Sequence, residues 1–317
     1  MDNIKYGIIS TASIVPRFIN AVKQVGKGEI IAIASRNINR AKEKAKEFKI
    51  PKYYGSYKEL YEDKEVNVVY IATINGNHYN DALEALKHNK NVICEKPFTL
   101  KKEEAEHLFD FAKEKGLFIM EAQKSVFLPI TNRVKKIIED GVIGEVKLVN
   151  FTSSYLPEPD NWVNSKEAGG GALFANASYF LELSKYIFEQ EILQVNAMSL
   201  IGPKGADSQY AISLKLNNDI MINSTTSYHV LTTNKALIYG ELGYIEIPNY
   251  WKARNAVIVF HDGNKKELNF PCQYELKYEI EHIEECLKNN LIESPIMNRD
   301  MTVSTIGLME SISKEWN

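Results

Sequence analysis

The chain has 317 residues, 44% of them apolar and 25% charged, with a formal net charge of −3. That is the composition of an ordinary globular protein, and at roughly 100–200 residues per domain the length favours two domains. Interspersed acids and bases argue against a nucleic-acid partner, no run approaches the ~20 apolar residues that span a bilayer, and the scattered Cys94, Cys272 and Cys286 suit neither a disulfide frame nor a C-x-x-C metal site. The opening MDNIKYG has no signal-peptide apolar core, so a cytoplasmic protein is expected.

In chain order, the first stretch alternates strand and helix patterns. Strands are predicted at 4–9, 29–35, 66–73, 91–95 and 117–122, and helices at 16–25, 38–48, 79–89 and 101–116. Several of the strands are near-continuous apolar runs, as in a sheet covered on both faces, and repeated β-α units wind into a parallel, doubly wound sheet. After Pro129 the pattern changes. A helix at 130–139 leads into long strands at 145–155, 192–202, 209–216, 219–228, 235–247 and 256–261. Alternation in Q-Y-A-I-S-L-K-L predicts a mostly antiparallel sheet with one face on the core. A helix at 172–188 should cover that face, the other being open to a second subunit; two helices, 275–290 and 300–316, close the chain.

The residues that suggest chemistry begin at 7–15, G-I-I-S-T-A-S-I-V, a strand, a turn and a helix start. A dinucleotide-binding turn carries G-x-G-x-x-G, and here those three positions are Ser10, Ala12 and Val15. The small side chains still leave backbone N–H groups at a helix start, which suits an anion, although a plain strand-to-helix connection reads the same way. At the end of the second strand stand Ser35, Arg36 and Arg40 with no acid, a set that suits the 2′-phosphate of NADP better than the ribose hydroxyls of NAD. The next two strand ends read A-T-I-N-G-N-H and C-E-K-P. In an open α/β sheet ligands sit beyond the carboxyl ends of the strands, so Glu95, Lys96 and Pro97 should point into the crevice. A lysine there can orient an oxygen and relay its proton. His229, His261 and His282 have no metal-ligand spacing, and no metal is expected.

Taken in order, G-I-I-x-T-A, A-T-x-N-x-x-H, C-E-K-P, E-A-x-x-x-x-F-x-P (121–129), G-G-G-A-L (169–173), E-L-G-Y-I-E-I-P-x-x-W (241–251) and the closing E-I-E-H-I-E-E-C-L resemble the Gfo/Idh/MocA family over nearly the whole chain. The resemblance implies a Rossmann domain, 1–122, followed by an α/β substrate-binding and dimerisation domain, 123–317, with 300–316 a candidate to pack back on the first. It implies a cofactor site of Ser10, Thr11, Ala12, Ser13, Ile14, Ser35, Arg36, Arg40, Thr73, Asn75, His78, Glu95 and Lys96. Lys96 would lie beside the nicotinamide and the reacting C–OH. After G-G-G-A-L the family continues with D-x-G-x-H or D-x-G-x-Y; here Ala175 replaces the aspartate, Asn176 follows, and Tyr179 fills the last position. Tyr179 would act as acid or base with Lys96, whose charge favours the phenolate, while Trp162 and Asn176 would line the substrate pocket. Two further positions depart from the pattern: Val126 stands where the family has arginine, and Ile74 where it has proline.

These readings together imply an NADP-preferring oxidoreductase, with NAD as an alternative cofactor. It would move hydride between nicotinamide and a secondary alcohol or carbonyl of a sugar, cyclic polyol or dihydrodiol, as a homodimer or higher homo-oligomer built through the open sheet. A non-catalytic NAD(P)-binding sensor and an NAD-assisted glycosidase on the same scaffold are the alternatives.

Overall fold

The apolar runs at the start of the chain form β1 (Ile4–Ile9), β2 (Gly28–Ala34), β3 (Lys52–Tyr54), β4 (Val68–Ile71), β5 (Asn91–Glu95) and β6 (Ile119–Ala122). Between them lie α1 (Val15–Val25), α2 (Ile38–Phe48), α3 (Tyr57–Glu62), α4 (His78–Lys87) and α5 (Lys102–Lys115). The computed structural model, which describes residues 3–316, pairs the six strands in one parallel sheet of order β3-β2-β1-β4-β5-β6. The winding reverses between β1 and β4, the switch point beyond whose strand ends doubly wound sheets hold their ligands. Cys94 is fully buried in β5, within the core on one face of this sheet.

The second unit begins at Lys124 and runs to Gln273. It holds α6 (Pro129–Glu139), β7 (Val146–Ser154), α7 (Ser178–Phe188), β8 (Ile192–Ile201), β9 (Asp207–Leu216), β10 (Met221–Ser227), β11 (Lys235–Gly240), β12 (Gly243–Pro248), β13 (Asn255–Phe260) and β14 (Lys265–Asn269). Its eight-stranded sheet has the order β14-β13-β12-β11-β7-β10-β9-β8 and is antiparallel except where β10 meets β7. Val149, Phe151, Ile212, Ile222 and Ile238 bury one face. Phe180 of α7 packs there against Phe151 and Tyr210, with ring centroids 5.8 and 6.4 Å apart. The opposite face leaves Met198, Leu200 and Met221 exposed.

The chain then returns. α8 (Lys277–Lys288) lies in the first unit beside α1, where Arg17 pairs with Glu275 and the Tyr6 hydroxyl donates to Glu284 at 3.3 Å. α9 (Arg299–Glu315) starts in the first unit, with Val303 and Ile306 in its core, and from Gly307 belongs to the second.

Three local expectations need correction. The run 235–247 is a hairpin, β11 and β12, because Glu241 and Leu242 form a two-residue turn between Gly240 and Gly243. The strand β3 is only three residues long and β14 is a polar edge strand, KKELN, so neither shows an apolar period. The helix expected at 172–188 opens with a π-helical turn, Leu173–Ala177, before α7.

Candidate active site

The turn after β1 solves the missing first glycine with a serine. Ser10 has φ 96°, a left-handed conformation that costs a side chain of this kind about 1 kcal/mol. Its Oγ accepts the Ala12 N–H at 3.1 Å, so the side chain closes the turn that a glycine would make by backbone freedom alone. Thr11, Ala12, Ser13 and Ile14 then lead into α1, whose amino end carries no side-chain cap and has Pro16 in its first turn. By contrast Asn37 caps α2, accepting from the N–H groups of Asn39 and Arg40 at 3.0 and 3.4 Å. The amino end of α1 thus lies at the switch point without a side-chain cap, where the helix dipole favours an anion.

Ser35 is buried at the end of β2 and accepts from the Asn37 N–H at 3.3 Å. Arg36 is exposed on the following turn and Arg40 in the first turn of α2. Arg36 hydrogen-bonds the Tyr57 hydroxyl and lies within electrostatic reach of Asp81 on α4. Burial pushes the Asp81 carboxyl up to about 6, against the pull of Thr73 and Arg36. Thr73 donates to Asp81 Oδ2 at 2.7 Å. The fold thus brings an acid next to an arginine that has none nearby in sequence.

At the carboxyl ends of β4 and β5 the segment Glu95–Lys96–Pro97 is held from below. The Tyr70 hydroxyl donates to Glu95 Oε1 at 2.5 Å, and the Tyr70 ring stacks on Phe18 of α1 at 3.7 Å. His78 is fully buried. Its Nδ1 lies 2.8 Å from the Pro97 carbonyl oxygen and its Nε2 3.1 Å from that of Thr73. Burial lowers the His78 pKa while both carbonyls raise it; a neutral ring donates to only one of them. His78 therefore ties the end of β4 to the turn after β5. Phe98 N–H donates to buried Glu121 at 3.1 Å and fixes the far side of that turn. Asn75 is buried in the 3-10 turn Asn75–Asn77, and Lys96 is half-buried, beyond the strand end.

In the second unit, Tyr179 stands on the half-buried side of the helix that the glycines introduce. Gly170 has no room for a Cβ, which would lie 2.4 Å from the Val163 carbonyl oxygen. Gly171 has φ 116°, and a Cβ there would lie 2.1 Å from Asp207 Oδ1. Asp207 instead accepts the Leu173 N–H at 2.8 Å and so caps the helix start; burial raises its carboxyl to about 6. Asn176 donates to the Tyr228 hydroxyl at 3.0 Å. The Tyr179 oxygen accepts from Lys124 Nζ at 2.8 Å, and its ring lies 6.3 Å from that of Trp251. Trp162 is 37% exposed in a separate short turn, Trp162–Asn164.

Sequence reasoning missed Lys124, Asp207 and Tyr228. Lys124 lies two residues before Val126, at an unspecified position of the 121–129 motif; Asp207 comes from β9 and Tyr228 follows β10, both distant in the chain and without a local signal. Trp251 was visible only as the end of a longer motif. Val126 itself is fully buried. Among the described residues, no group of three or more His, Cys, Asp or Glu side chains is placed to hold a metal, and no helix is long and apolar enough to cross a membrane.

Residues 4–123 match the oxidoreductase family with an NAD-binding Rossmann fold, and residues 131–246 match the GFO/IDH/MocA C-terminal domain. A trans-1,2-dihydrobenzene-1,2-diol dehydrogenase of Mus musculus is 30% identical over 309 residues, covering 93% of this chain and 91% of that protein. The Homo sapiens protein of the same name is 27% identical and covers 98% and 96%. Among solved structures, a 3-ketoreductase from Actinomadura kijaniata, in complex with NADP and TDP-benzene, superimposes with a TM-score of 0.89 at 21% identity, covering 98% and 97%. An aldose-aldose oxidoreductase from Caulobacter crescentus gives 0.89 at 20% identity with the same coverage.

Proposed function

The chain belongs to the Gfo/Idh/MocA oxidoreductase family, and from that premise we propose which of its residues carry the chemistry and on what substrates. It is an NAD(P)-dependent enzyme acting on CH–OH groups. The substrate we infer is a secondary alcohol or its ketone on a sugar, a cyclic polyol or a dihydrodiol. The relatives named for dihydrodiols and the neighbours named for sugars support that class.

The first unit suits a dinucleotide. The amino end of α1, which has no side-chain cap, and the turn Ser10–Ile14 would take the pyrophosphate, drawn by the helix dipole. Ser35, Arg36 and Arg40 would take the 2′-phosphate of NADP, NAD being the weaker ligand for want of an acid on that turn. Thr73, Asn75 and Glu95 would border the nicotinamide half, with His78 holding the two strand ends in place. When bound, the nicotinamide supplies or accepts the hydride.

The protein's share is position and proton traffic. Lys96 would donate a hydrogen bond from Nζ to the substrate oxygen. In reduction Tyr179 would give its phenolic proton to that oxygen as the carbon gains hydride; in oxidation the phenolate would take the proton back. Trp162 and Asn176 would contact the rest of the substrate. The observation that carries this reading is the locked Glu95–Lys96–Pro97 segment, pinned through Tyr70 and His78 at the end of β5. Cytoplasmic residence is part of the reading, supported by three cysteines that are all free thiols.

The test is fluorescence titration with NADPH and NADH, then turnover on ketoses, aldoses and dihydrodiols. Lys96→Ala should keep NADPH binding within a few-fold and lose about 10²–10⁴ in kcat. Near-normal turnover in that variant sinks the assignment.

A further inference from the structure

Lys124 is a buried cation that the reading above does not use. It opens the 3-10 turn Lys124–Phe127, all four of whose residues are buried, and it is itself only 6% exposed. The turn is anchored by the Thr131 hydroxyl of α6, which donates to the Ser125 carbonyl at 2.7 Å. An ammonium group buried to this degree is costly unless its donors are satisfied. One of them points at Tyr179: Nζ to Oη is 2.8 Å, and Nζ lies 4.7 Å from the ring centroid.

The direction of that hydrogen bond is settled by chemistry. An ammonium has donors and no acceptor, so Lys124 donates and the Tyr179 oxygen accepts. The phenolic proton must then point away from Lys124, toward another acceptor. A cation donating to the oxygen also favours the phenolate over the phenol. Within the second unit, Tyr250 faces Tyr179 from the neighbouring 3-10 turn, with Trp251 beside it; burial holds the Tyr250 hydroxyl well above its ordinary pKa, so it stays neutral. Lys252 on that turn is exposed, and Glu182, one helical turn along α7, is fully buried. Lys124 thus places a positive charge in direct contact with the Tyr179 hydroxyl.

We propose that Lys124 is a positioning residue for hydride transfer: it turns the Tyr179 proton toward the substrate oxygen and stabilises the phenolate as that proton leaves. The step conserves charge and atoms. The Tyr179 O–H bond breaks, a bond from the proton to the substrate oxygen forms, and the electron pair left on Oη is held by the Lys124 ammonium, which keeps its own protons. This inference rests on the reading of Tyr179 as the proton donor.

The experiment compares Lys124→Met, Lys124→Arg and Tyr179→Phe in the whole protein with NADPH and the best substrate of the screen. Lys124→Met should lower kcat about 10–100-fold with KM within about 3-fold, and move the Tyr179 limb of the pH–rate profile up by about one pH unit or more. Lys124→Arg, which keeps the charge and the donors, should recover kcat to within about 5-fold of wild type. An unmoved pH limb in a folded Lys124→Met overturns the inference while leaving Tyr179 in place. Should that variant not fold, ultraviolet titration of Lys124→Gln against wild type, with Tyr179→Phe as the blank, must place the Tyr179 phenolate transition at a higher pH than in wild type; coincident curves overturn the inference. Near-wild-type kcat in Tyr179→Phe fells the underlying reading and this inference with it.

Discussion

Ser10 shows what replaces a glycine at the cofactor turn. Its φ of 96° is the conformation a glycine would adopt freely, and its Oγ returns part of the cost through the Ala12 N–H. A residue-scale consequence lies at the other end of the first sheet. Glu284 accepts from the Tyr6 hydroxyl, its Oε2 has no hydrogen-bond partner among the described residues, and burial pushes its carboxyl from 4.5 up to about 7. The folded pKa is raised, so the stabilisation is complete below about 4.5 and is lost as the pH rises through about 7. At about 1.4 kcal/mol per pH unit, the ionised carboxylate costs about 3 kcal/mol above that window. Glu284→Gln should therefore match wild type near pH 4.5 and melt at a higher temperature than wild type at pH 8. Parallel melting curves at the two pH values would rule this out.

Helix α7 depends on what precedes it. Its start is set by the close approach of Gly170 to Val163 and by the Asp207 carboxylate, which reaches across from β9 to the Leu173 N–H. Gly171→Ala would drive a methyl group into Asp207 Oδ1 and force a side chain into φ 116°. We expect a loss of about 2–4 kcal/mol, read as a drop in melting temperature and in denaturant midpoint. A stability change under about 0.5 kcal/mol would show that the cap is dispensable. Element by element, the long runs were legible: the strands at 4–9 and 91–95 fall on β1 and β5, and the helix at 38–48 on α2. Those segments bury continuous or periodic apolar faces. The run 235–247 misled because two strands share one apolar pattern across a two-residue turn.

The second unit presents an open sheet face to solvent. Met198 is 71% exposed and Leu200 55%, both on β8, with Met221 at 41% on β10. A run of exposed apolar side chains on a sheet face is the usual mark of an interface, and we propose that a second copy of the chain covers it. Sedimentation should give twice the chain mass for wild type. The double variant Met198→Glu with Leu200→Glu should sediment as a single chain with an unchanged circular dichroism spectrum. A monomeric wild type removes the proposal.

The alternation of strands and helices, the open second sheet, Lys96 just past the end of β5 and Tyr179 on a helix were legible along the chain, because hydrophobic period, strand ends and short motifs are local properties. What surrounds those residues comes from the folding of distant segments onto one another. Asp81 beside Arg36, His78 across Thr73 and Pro97, Asp207 at the start of the α7 helix and Lys124 on the Tyr179 oxygen are pairs whose members lie 5 to 55 residues apart in the chain. Their chemistry depends on burial and on approach in space, to about 3 Å for the His78, Asp207 and Lys124 hydrogen bonds, and the folding of the sheets sets both.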